Sequence, residues 1–545
     1  MDLSQFAAQT FQHGLEMNAS DSEAATGVST ASLAAEPGRE LEIKFKTDAA
    51  GLKLALRSEL LSTGAADAPS RTLRSVYFDT PAGDLRKQRM VLRVRTIRAS
   101  HVIGLKWAGP LADGPFSRGE IEVRAPGLDP DIALFDAEIA GEVSRIIDGR
   151  PLEQKFETRI RRRVRQLDLG RAQVEVAFDD GFIIAGDRKQ PLTEVELELK
   201  GGEEGPLYEL ALQVAAALPL RLDMMSKAER GFMLAAGDRP MPVRAAALRY
   251  PEEATLDDAV EIVTASALGQ FAANWPALTE TRDPESIHQM RVALRRLRSA
   301  LAFFNRALPC AEFELFRGEA KRIASAFGPA RNWDAFLDLV EKGPLTHHPR
   351  DESFTALLTA AEDRRLAAYA IAQGVIADPA TTRFVLNLRA FVARRAWRSG
   401  LSGAELPRLT EPAKRFAAET LERLHKRALK RGRGLLEMPP EERHQLRIAL
   451  KNLRYAAEFF SVLFGGGAKS RPYIRAVAQL QDGLGAYNDE ASAAQLLQDL
   501  DAAAGSQVAK ASGVILGWCG RGAVIGDANL GKAWKSFKRT RLFWR

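Results

Sequence analysis

The chain has 545 residues, of which 46% are hydrophobic and 27% are charged, and its formal net charge at pH 7 is +7. This length exceeds what one hydrophobic core usually holds, so two or three domains are expected. The sequence lacks an uninterrupted apolar run of roughly 18 residues and has only two distant cysteines, which argues against a membrane span, a disulfide framework and a zinc site, and predicts a reducing compartment.

Charge is distributed unevenly along the chain. Residues 1–240 carry 32 Lys and Arg against 37 Asp and Glu, whereas residues 241–545 carry 45 against 33. A basic second half indicates a polyanionic partner such as nucleic acid, anionic lipid or polyphosphate. Residues 1–38 are small and polar and contain no Lys or Arg, which predicts a disordered leader and not a signal peptide.

From Glu40 onward, six segments alternate charged and apolar residues, which is the period of a β-strand. They are ELEIKF, MVLRVRT, EIEVR, TRIRRRVR, AQVEVAFDD and TEVELELK. For any single strand, a solvated face explains the alternation. As a set, however, the segments would gather carboxylates and basic side chains in the lumen of a closed barrel. Because carboxylates suit a hard divalent cation and Arg and Lys suit phosphoryl oxygens, the set predicts a metal and phosphate site.

The order of these motifs resembles that of the CYTH superfamily, the triphosphate tunnel metalloenzymes. ELEIK matches the ExExK signature, and VYFDTP, LRVR, LK at residues 105–106, EVELELK and SKAERG follow it. The resemblance implies a domain at residues 39–236 with an antiparallel eight-stranded β tunnel and helices. It also implies that this domain binds a triphosphate with Mg²⁺ or Mn²⁺ and hydrolyses a phosphoanhydride bond.

The same resemblance implies functional residues, position by position. The metal ligands would be Glu40, Glu42, Glu196 and Glu198. The catalytic residues would be Glu196, Glu198 and Lys106. The triphosphate would be held by Lys44, Arg57, Arg93, Arg95, Lys106, Arg159, Arg161 and Lys227. Such a set suits phosphoryl transfer, which requires mainly positioning and charge neutralisation. The run RIRRRVR leaves its register open, because a slip of one residue would turn Arg159 and Arg161 to the other face.

After a predicted linker at residues 237–255, the pattern changes to helical period. HQMRVALRRLRSALAFF (His288–Phe304) and HQLRIALKNLRYAAEFF (His444–Phe460) are near copies 156 residues apart, and FGPARNWDAF and LGAYNDEAS repeat 157 residues apart. Two related helical bundles in tandem explain both repeats. The predicted fold class is therefore α+β multidomain, with a C-terminal all-α part that has internal pseudo-symmetry.

Each copy of the repeated helix carries a basic stripe beside an apolar one. The two basic stripes are His288, Arg291, Arg295 and Arg298, and His444, Arg447, Lys451 and Arg454. A solvated cationic face would explain one such stripe. Its repetition in the same register favours an extended anion as the ligand.

These helices, the segment RLHKRALKRGRGL and the two Gly-x-x-[RN]-[ND] turns resemble the CHAD domain, an all-helical domain that binds inorganic polyphosphate and often follows a CYTH domain. The resemblance places this domain at residues 256–503, before a basic C-terminal tail at residues 504–545 in which a terminal amphipathic helix is expected. The candidate polyphosphate contacts are the eight stripe residues together with His425, Arg427, Arg431 and Arg433. The three arginines would equally suit the C-terminal end of a helix.

The sequence therefore predicts a cytoplasmic, metal-dependent inorganic triphosphatase with an attached polyphosphate-binding domain. It would cleave tripolyphosphate to pyrophosphate and phosphate and would associate with polyphosphate granules; nucleic acid is not expected as a partner. Two alternatives stay open. One is a non-catalytic polyphosphate-binding protein with a vestigial tunnel, and the other is a CYTH enzyme that acts on thiamine triphosphate or ATP. The retained glutamates favour activity, because a pure polyanion binder gains nothing from clustered carboxylates.

Overall fold

A computed structural model of the chain describes residues 39–62, 69–108, 117–504 and 507–545, so the predicted leader at residues 1–38 lies outside the described residues. The described residues fall into two compact units. The first unit contains Leu73–Ala108 and Arg118–Thr158, and the second contains Glu40–Thr72 and Arg159–Arg545.

The N-terminal part contains nine strands among the described residues. In chain order its elements are β1 (Arg39–Lys46), α1 (Ala49–Arg57), β2 (Arg71–Asp79), α2 (Asp84–Lys87), β3 (Met90–Ile97), β4 (Ser100–Ala108), β5 (Ser117–Ala125), α3 (Ala137–Ile147), β6 (Glu153–Asp168), β7 (Ala172–Ala185), β8 (Arg188–Gly202), α4 (Glu204–Ala217), β9 (Arg221–Asp223) and α5 (Lys227–Ala236). Every pairing with a described register is antiparallel. The predicted antiparallel sheet with helices is thus confirmed, with nine strands where eight were expected.

In the first unit, β2, β3, β4 and β5 pair in sequence order. Strand alternation places Leu92, Val94 and Ile103 on one face, where they are buried against α3 with Ile139 and Val143. The opposite face carries the charged residues of the same strands, because successive side chains point to opposite sides of a sheet.

In the second unit, the strands are ordered β6, β7, β8, β1 and β9. Phe45, Phe178 and Val195 are buried together on one face of these strands with Leu52 of α1 and Leu210 of α4. This apolar face anchors the sheet, so the charged residues that alternate with it are fixed on the other face.

The C-terminal part is helical. Its helices are α6 (Leu256–Ala273), α7 (Trp275–Glu280), α8 (Pro284–Ala307), α9 (Ala311–Ala326), α10 (Gly328–Lys342), α11 (Glu352–Ala377), α12 (Pro379–Ala393), α13 (Ala413–Arg431), α14 (Pro440–Phe460), α15 (Gly467–Gly483), α16 (Gly485–Ala504) and α17 (Ala509–Arg539). None of the described helices is both long enough and apolar enough to cross a membrane.

The predicted duplication is visible in the packing. Helix α8 contains the first His helix and packs against α6 and α9, while α14 contains the second and packs against α13 and α15. The two repeated helices also contact each other, with Ser299 Oγ 2.9 Å from Asn452 Oδ1. Their apolar stripes are buried, as Leu294 and Leu450 illustrate at 0% exposure.

Residues 237–255, the predicted linker, form neither helix nor strand and pack against the helical part. The amide of Val243 donates to Asn274 Oδ1 at 2.9 Å, and the Tyr250 hydroxyl donates to the Phe459 carbonyl at 3.0 Å. Near the chain end, α17 packs against α15 and α16, in agreement with a terminal helix.

Helix α4 joins the strands of the second unit to its helical part by packing against α12. The Tyr208 side chain is fully buried there, and its hydroxyl accepts a hydrogen bond from Arg389 Nε at 3.4 Å. At the edge of this contact, Arg394 Nη1 lies 2.5 Å from Glu209 Oε1. Strands and helices of the second unit therefore share one continuous hydrophobic core.

Candidate functional site

Three carboxylates meet on the neighbouring strands β7 and β8. Asp179 and Glu194 are paired in the antiparallel register, and Glu196 follows two residues along β8 on the same face. One oxygen from each of the three carboxylates lies within 4.8 Å of the others, and all three side chains are buried. These three residues form the carboxylate cluster.

Lys227 reaches the carboxylate cluster from the first residue of α5. Its Nζ lies 2.9 Å from Asp179 Oδ2 and 2.6 Å from Glu196 Oε1, and it also contacts Glu194. The start of α5 is fixed because Ser226 caps the helix in a reciprocal capping box. The ammonium group is thereby held among three carboxylates.

Two further cations reach the cluster from β6 and β1. Arg162 donates to both oxygens of Asp179 at 2.7 and 2.6 Å and to Glu196 Oε2 at 2.6 Å. Lys44 is paired with Glu196 in the β1–β8 register, with its Nζ 3.6 Å from Oε1, and it also contacts Glu42. Lys44, Arg162 and Lys227 are the cluster cations.

The cluster carboxylates are not electrostatically equivalent. Burial alone would raise the pKa of Glu196, but Lys227 and then the other cluster cations hold it well below its ordinary value. The pKa of Glu194 is instead raised to about 8 by burial, although Lys227 acts in the opposite direction. Glu194 Oε2 is buried and has no hydrogen-bond partner within the described part of the chain.

The carboxylate cluster fits a hard divalent cation. Mg²⁺ and Mn²⁺ prefer oxygen ligands, and three carboxylates converge here on two adjacent strands. A buried carboxylate oxygen without a partner is costly, so Glu194 Oε2 is a suitable ligand atom. Asp179, Glu194 and Glu196 are the residues that would hold such an ion.

Of the four metal ligands predicted from sequence, Glu196 alone belongs to this cluster. Glu42 and Glu198 face each other in the next row of the β1–β8 register, and Glu198 Oε1 lies 2.5 Å from Lys200 Nζ. Glu40, near the start of β1, is buried at 8% exposure. The metal-binding role of these three glutamates stays a prediction.

The predicted register of β6 is corrected by one residue. Arg161 lies on the face opposite to the cluster, where its exposed side chain is 3.2 Å from Asp180 Oδ2. Arg159 is also exposed and lies two residues earlier on the same face. Leu167, six residues after Arg161 and on the same face of β6, is buried in the core of the second unit, so Arg162 faces the carboxylates in place of Arg161.

Arg57 is likewise away from the cluster. It is the exposed last residue of α1, and α1 covers the apolar side of the sheet through Leu52 and Ala55. A basic side chain at that position complements the partial negative charge at the end of the helix.

Asp179, Glu194 and Arg162 were not among the residues predicted for the site. A signal for the carboxylates was present, since both alternate with apolar residues in AQVEVAFDD and TEVELELK. What the sequence lacked was the register that pairs Asp179 with Glu194. The sequence did not show which of the consecutive arginines of RIRRRVR faces the cluster. That Arg162 does so is seen only from the packing of β6.

A second group of charges lies in the first unit, on the face of β3, β4 and β5 opposite to its core. Arg93 donates to Glu120 and Glu122 at 2.8 Å each, and Lys106 Nζ lies 3.1 Å from Glu120 Oε2. Arg95 Nε donates to Ser75 Oγ at 3.2 Å. The predicted residues Arg93, Arg95 and Lys106 are thus brought together.

Gly104 provides the space for Arg93 on this face. It stands between Arg93 and Glu122 in the strand register, and a Cβ there would lie 3.3 Å from Glu122 Cγ and 3.5 Å from Arg93 Nε. Burial alone would lower the pKa of Arg93, but Tyr77 and the two glutamates raise it above its ordinary value. Arg93 therefore stays charged although it is buried.

The first basic stripe lies half-buried along α8 and is crowded with positive charge. Burial and then Arg331 lower the pKa of His288 to about 4. Burial and then Arg295 and Arg331 lower the pKa of Arg291 to about 10. Arg291 also donates to the carbonyl of Ala324 at the end of α9.

The second basic stripe lies along α14 and has acidic neighbours. Arg454 Nε lies 2.8 Å from Glu458 Oε1. Asp482 lies close to both Arg447 and Arg454, which lower its pKa against a larger upward effect of burial. His444 is exposed near the start of the helix.

His425, a predicted polyphosphate contact, is instead part of the core. It is 6% exposed, its Nδ1 is 2.8 Å from the Tyr473 hydroxyl, and its ring packs against Phe537 and Trp544. The aromatic residues of the chain end exclude it from solvent, which the local sequence did not reveal. Of the arginines predicted with it, Arg427 and Arg433 are exposed, and Arg431, the last residue of α13, is half-buried.

Comparison with known families gives two matches along the chain. Residues 38–232 match the CYTH domain and residues 263–498 match the CHAD domain. The two matches follow each other in the order that the motifs predicted.

Individual relatives cover parts of the chain. An inorganic triphosphatase of Haemophilus influenzae is 31% identical over 163 residues, 30% of this chain and 46% of that protein. An uncharacterized protein of Mycobacterium tuberculosis is 26% identical over 337 residues, 57% of this chain and 61% of that protein. The chain thus spans about half and about three fifths of the lengths of these relatives. The crystal structure of the CHAD domain from the plant Ricinus communis is 29% identical, covers 55% of this chain and 98% of that one, and gives a TM-score of 0.47.

Proposed function

From the successive matches to a CYTH domain and a CHAD domain, we propose that the chain is a metal-dependent triphosphatase acting on inorganic tripolyphosphate. The products are pyrophosphate and phosphate. The match to an inorganic triphosphatase over 163 residues supports this substrate class. The observation that carries the proposal is the buried carboxylate cluster with its three cluster cations.

The reaction places specific demands on such a site. A bond forms between a water oxygen and the terminal phosphorus, and the bond from that phosphorus to the bridging oxygen breaks, so that pyrophosphate leaves. Mg²⁺ or Mn²⁺ bound by the carboxylate cluster would neutralise phosphoryl charge and orient the water. The protein's own contribution is to hold the substrate and the carboxylates in place.

The cluster cations suit the first of these tasks. The guanidinium of Arg162 and the ammonium of Lys227 each already donate to two or more carboxylates of the cluster. Once those carboxylate oxygens bind a cation, N–H groups of both side chains become available for phosphoryl oxygens. In the first unit, the predicted triphosphate ligands Arg93 and Lys106 are oriented in a comparable way by Glu120.

Phosphate release by the purified chain tests the proposal. Tripolyphosphate, ATP, thiamine triphosphate and long-chain polyphosphate are offered in parallel with Mg²⁺ or Mn²⁺. Turnover of tripolyphosphate far above that of the other three is expected. Preference for ATP or thiamine triphosphate would replace the substrate, and no turnover of any of them would overturn the enzymatic proposal.

Adjacent residues supply a matched pair of variants. Asp179 is in the cluster, whereas Asp180 lies on the opposite face beside Arg161. Asp179→Asn is expected to lower turnover by about a hundredfold or more, because it removes a charged metal ligand. Asp180→Asn should leave turnover near that of the wild type.

The second part of the proposal is that the helical part binds long-chain polyphosphate. Its support is the CHAD match and the crowding of half-buried positive charge along α8. Binding of a flexible polyanion should weaken steeply with salt, because counterions are released from the polymer. Titration at two salt concentrations tests this, and salt-independent binding or none would contradict it.

A further inference from the structure

A groove outside the two basic stripes lies between α15 and α17. Its polar lining consists of Arg471, Arg475 and Gln479 of α15 and of Ser536 and Thr540 at the end of α17. These five residues define the tail groove. Its volume is about 370 Å³, which lies within the range of small-ligand sites.

An aromatic contact beneath the tail groove fixes its two walls. Tyr473, which stands between the two arginines in sequence, is fully buried, and its ring centroid lies 5.8 Å from that of Phe537 on α17. The Tyr473 hydroxyl is also 2.8 Å from His425 Nδ1. Because these rings hold α15 against α17, the groove is part of the packed fold and does not depend on a loop.

The two arginines of the groove have no ion pair. Arg471 and Arg475 are one helical turn apart on α15, and both are exposed. Within the part of the chain that the structure describes, neither has a carboxylate partner. By contrast, Arg454 on α14 pairs with Glu458.

Carboxylates are scarce around the tail groove. The only acidic residue in the sequence of α15 is Asp482, which does not line the groove. Residues 529–545 contain three Lys and three Arg and no Asp or Glu. Glu422 of α13 reaches this end of the chain, but it pairs with Arg545. The groove thus presents positive charge and offers no carboxylate ligand for a metal.

The opposite wall supplies a hydrogen-bond donor. The Thr540 hydroxyl donates to the carbonyl of Ser536 at 2.9 Å, and the Thr540 amide donates to the same oxygen at 3.0 Å. This carbonyl is therefore engaged at the end of α17. The exposed Ser536 hydroxyl has no hydrogen-bond partner among the described residues, so it is available to a ligand.

This donor set suits phosphoryl oxygens. A guanidinium group binds phosphoryl oxygens through paired N–H donors, and two such groups one helical turn apart suit two phosphoryl groups. The other lining residues are Pro472 and Ala476, so no aromatic ring is present on which a nucleobase could stack. The lining therefore favours an inorganic phosphate chain over a nucleotide.

We propose that the tail groove binds an inorganic chain of two or more phosphoryl groups, and that it does so without a divalent cation. The chain can be free pyrophosphate or a segment of long-chain polyphosphate, since both offer the same oxygens. The CHAD match ends at residue 498, so the α17 wall lies beyond it. No residue of the groove belongs to the basic stripes or to the carboxylate cluster, and the inference therefore goes beyond the function proposed above.

Variants of the full chain test the inference. The groove variant combines Arg471→Gln with Arg475→Gln, and Ser536→Ala tests the opposite wall. Lys532→Gln with Lys535→Gln removes the same charge from exposed positions of α17 that do not line the groove, and serves as the matched control. Circular dichroism verifies the folding of each variant.

Equilibrium dialysis with EDTA measures the affinity for pyrophosphate and, separately, for long-chain polyphosphate. A salt concentration of about 0.15 M limits the reach of distant charges to about 8 Å. The groove variant should lose about tenfold or more in pyrophosphate affinity, because charge-assisted hydrogen bonds are lost. Ser536→Ala should lose about threefold, and the control should stay within about twofold of wild type. Hydrogen exchange with bound pyrophosphate should slow along α15 and the end of α17, and not along α8.

The polyphosphate arm distinguishes the two sources of the ligand. A loss of polyphosphate affinity alone in the groove variant would assign the groove to the polymer, and a loss of pyrophosphate affinity alone would assign it to the short chain. Equal losses in the groove variant and the control, or no loss for either ligand, would overturn the proposal. Absence of metal-free binding by the wild-type chain would overturn it as well. Tripolyphosphate turnover should be unchanged in every variant, so failure of the groove leaves the proposed triphosphatase standing.

Discussion

Arg161 and Arg162 are neighbours on β6 and pair with adjacent aspartates on opposite faces of the sheet. Arg162 binds the fully buried Asp179, whereas Arg161 lies 3.2 Å from the partly exposed Asp180. The same residue types are thus present on both faces, and burial and the neighbours Glu194, Glu196 and Lys227 distinguish the two pairs.

Separate replacement of Arg162 and Arg161 tests which face of β6 contributes to the site. Arg162→Gln should lower kcat/KM for tripolyphosphate by about a hundredfold and the free energy of unfolding by about 3 kcal/mol, because it leaves buried carboxylates without their cation. Arg161→Gln should change the free energy of unfolding by less than about 1 kcal/mol, since it removes an exposed pair.

Phosphate release and urea unfolding measure both effects on the same preparations. Equal losses of kcat/KM in the two variants would contradict the assignment of the cluster face. A large loss of stability without a loss of kcat/KM would make Arg162 a structural residue only.

Strand alternation showed which β-strands carry charge on one face, because the period of two is visible in segments such as TEVELELK. It did not identify Asp179 and Glu194 as partners, since their meeting depends on the register between two strands. Arg161 was chosen over Arg162 for the same reason: consecutive arginines do not show which residues face the core, and this is set by buried residues of β6 such as Leu167.

The helical duplication was predicted from the sequence, because the basic stripe and the apolar stripe recur at the same spacing in both copies of the helix. His425 was misassigned because its local segment is basic, while the groups that bury it come from Tyr473 and from the chain end. Long-range packing of this kind has no signature in a single segment.

Removal of His425 should therefore affect stability and not polyphosphate binding. His425→Ala deletes a ring that packs among Tyr473, Phe537 and Trp544, and should lower the free energy of unfolding by about 2–4 kcal/mol. Urea unfolding measures this cost. Polyphosphate affinity per folded molecule, measured below the unfolding transition, should equal that of wild type; a specific loss of affinity would return His425 to the binding surface.

Metal binding to the carboxylate cluster predicts a thermal shift that does not depend on turnover. Mg²⁺ or Mn²⁺ should raise the Tm of the wild-type chain, because a ligand that binds only the folded state stabilises it. Glu194→Gln should reduce this shift strongly, since Glu194 supplies the buried oxygen without a hydrogen-bond partner among the described residues.

Glu175→Gln is the matched control for this experiment. Glu175 is on the same face, opposite Glu198, but outside the cluster. An equal loss of the thermal shift in the two variants would indicate that the metal is not held by the cluster.

The acid sensitivity of the helical part should depend on His288. Its pKa in the folded chain is about 4, below the ordinary value of 6.5, because of burial and the nearby arginines. Between these two pH values the unfolded chain binds a proton that the folded chain does not, so the stability that His288 contributes is complete above about pH 6.5 and is lost as the pH falls toward about 4. The loss should be about 1–2 kcal/mol, after allowance for solvent screening of a half-buried group.

Urea unfolding of wild type and His288→Gln between about pH 7 and about pH 5 isolates this contribution, because other titrating groups cancel in the difference. The charged groups that act on His288 are Arg331, Glu285, Arg295 and Arg291. His444→Gln, at the exposed counterpart in the second copy, should keep the wild-type pH dependence. Bound polyphosphate should raise the pKa of His288 by neutralising the arginines around it, and so reduce the acid-induced loss in wild type but not in His288→Gln. If wild type and His288→Gln lose stability in parallel as the pH falls, the low pKa of His288 is wrong, and the arginines of the first basic stripe are better compensated than that pKa indicates.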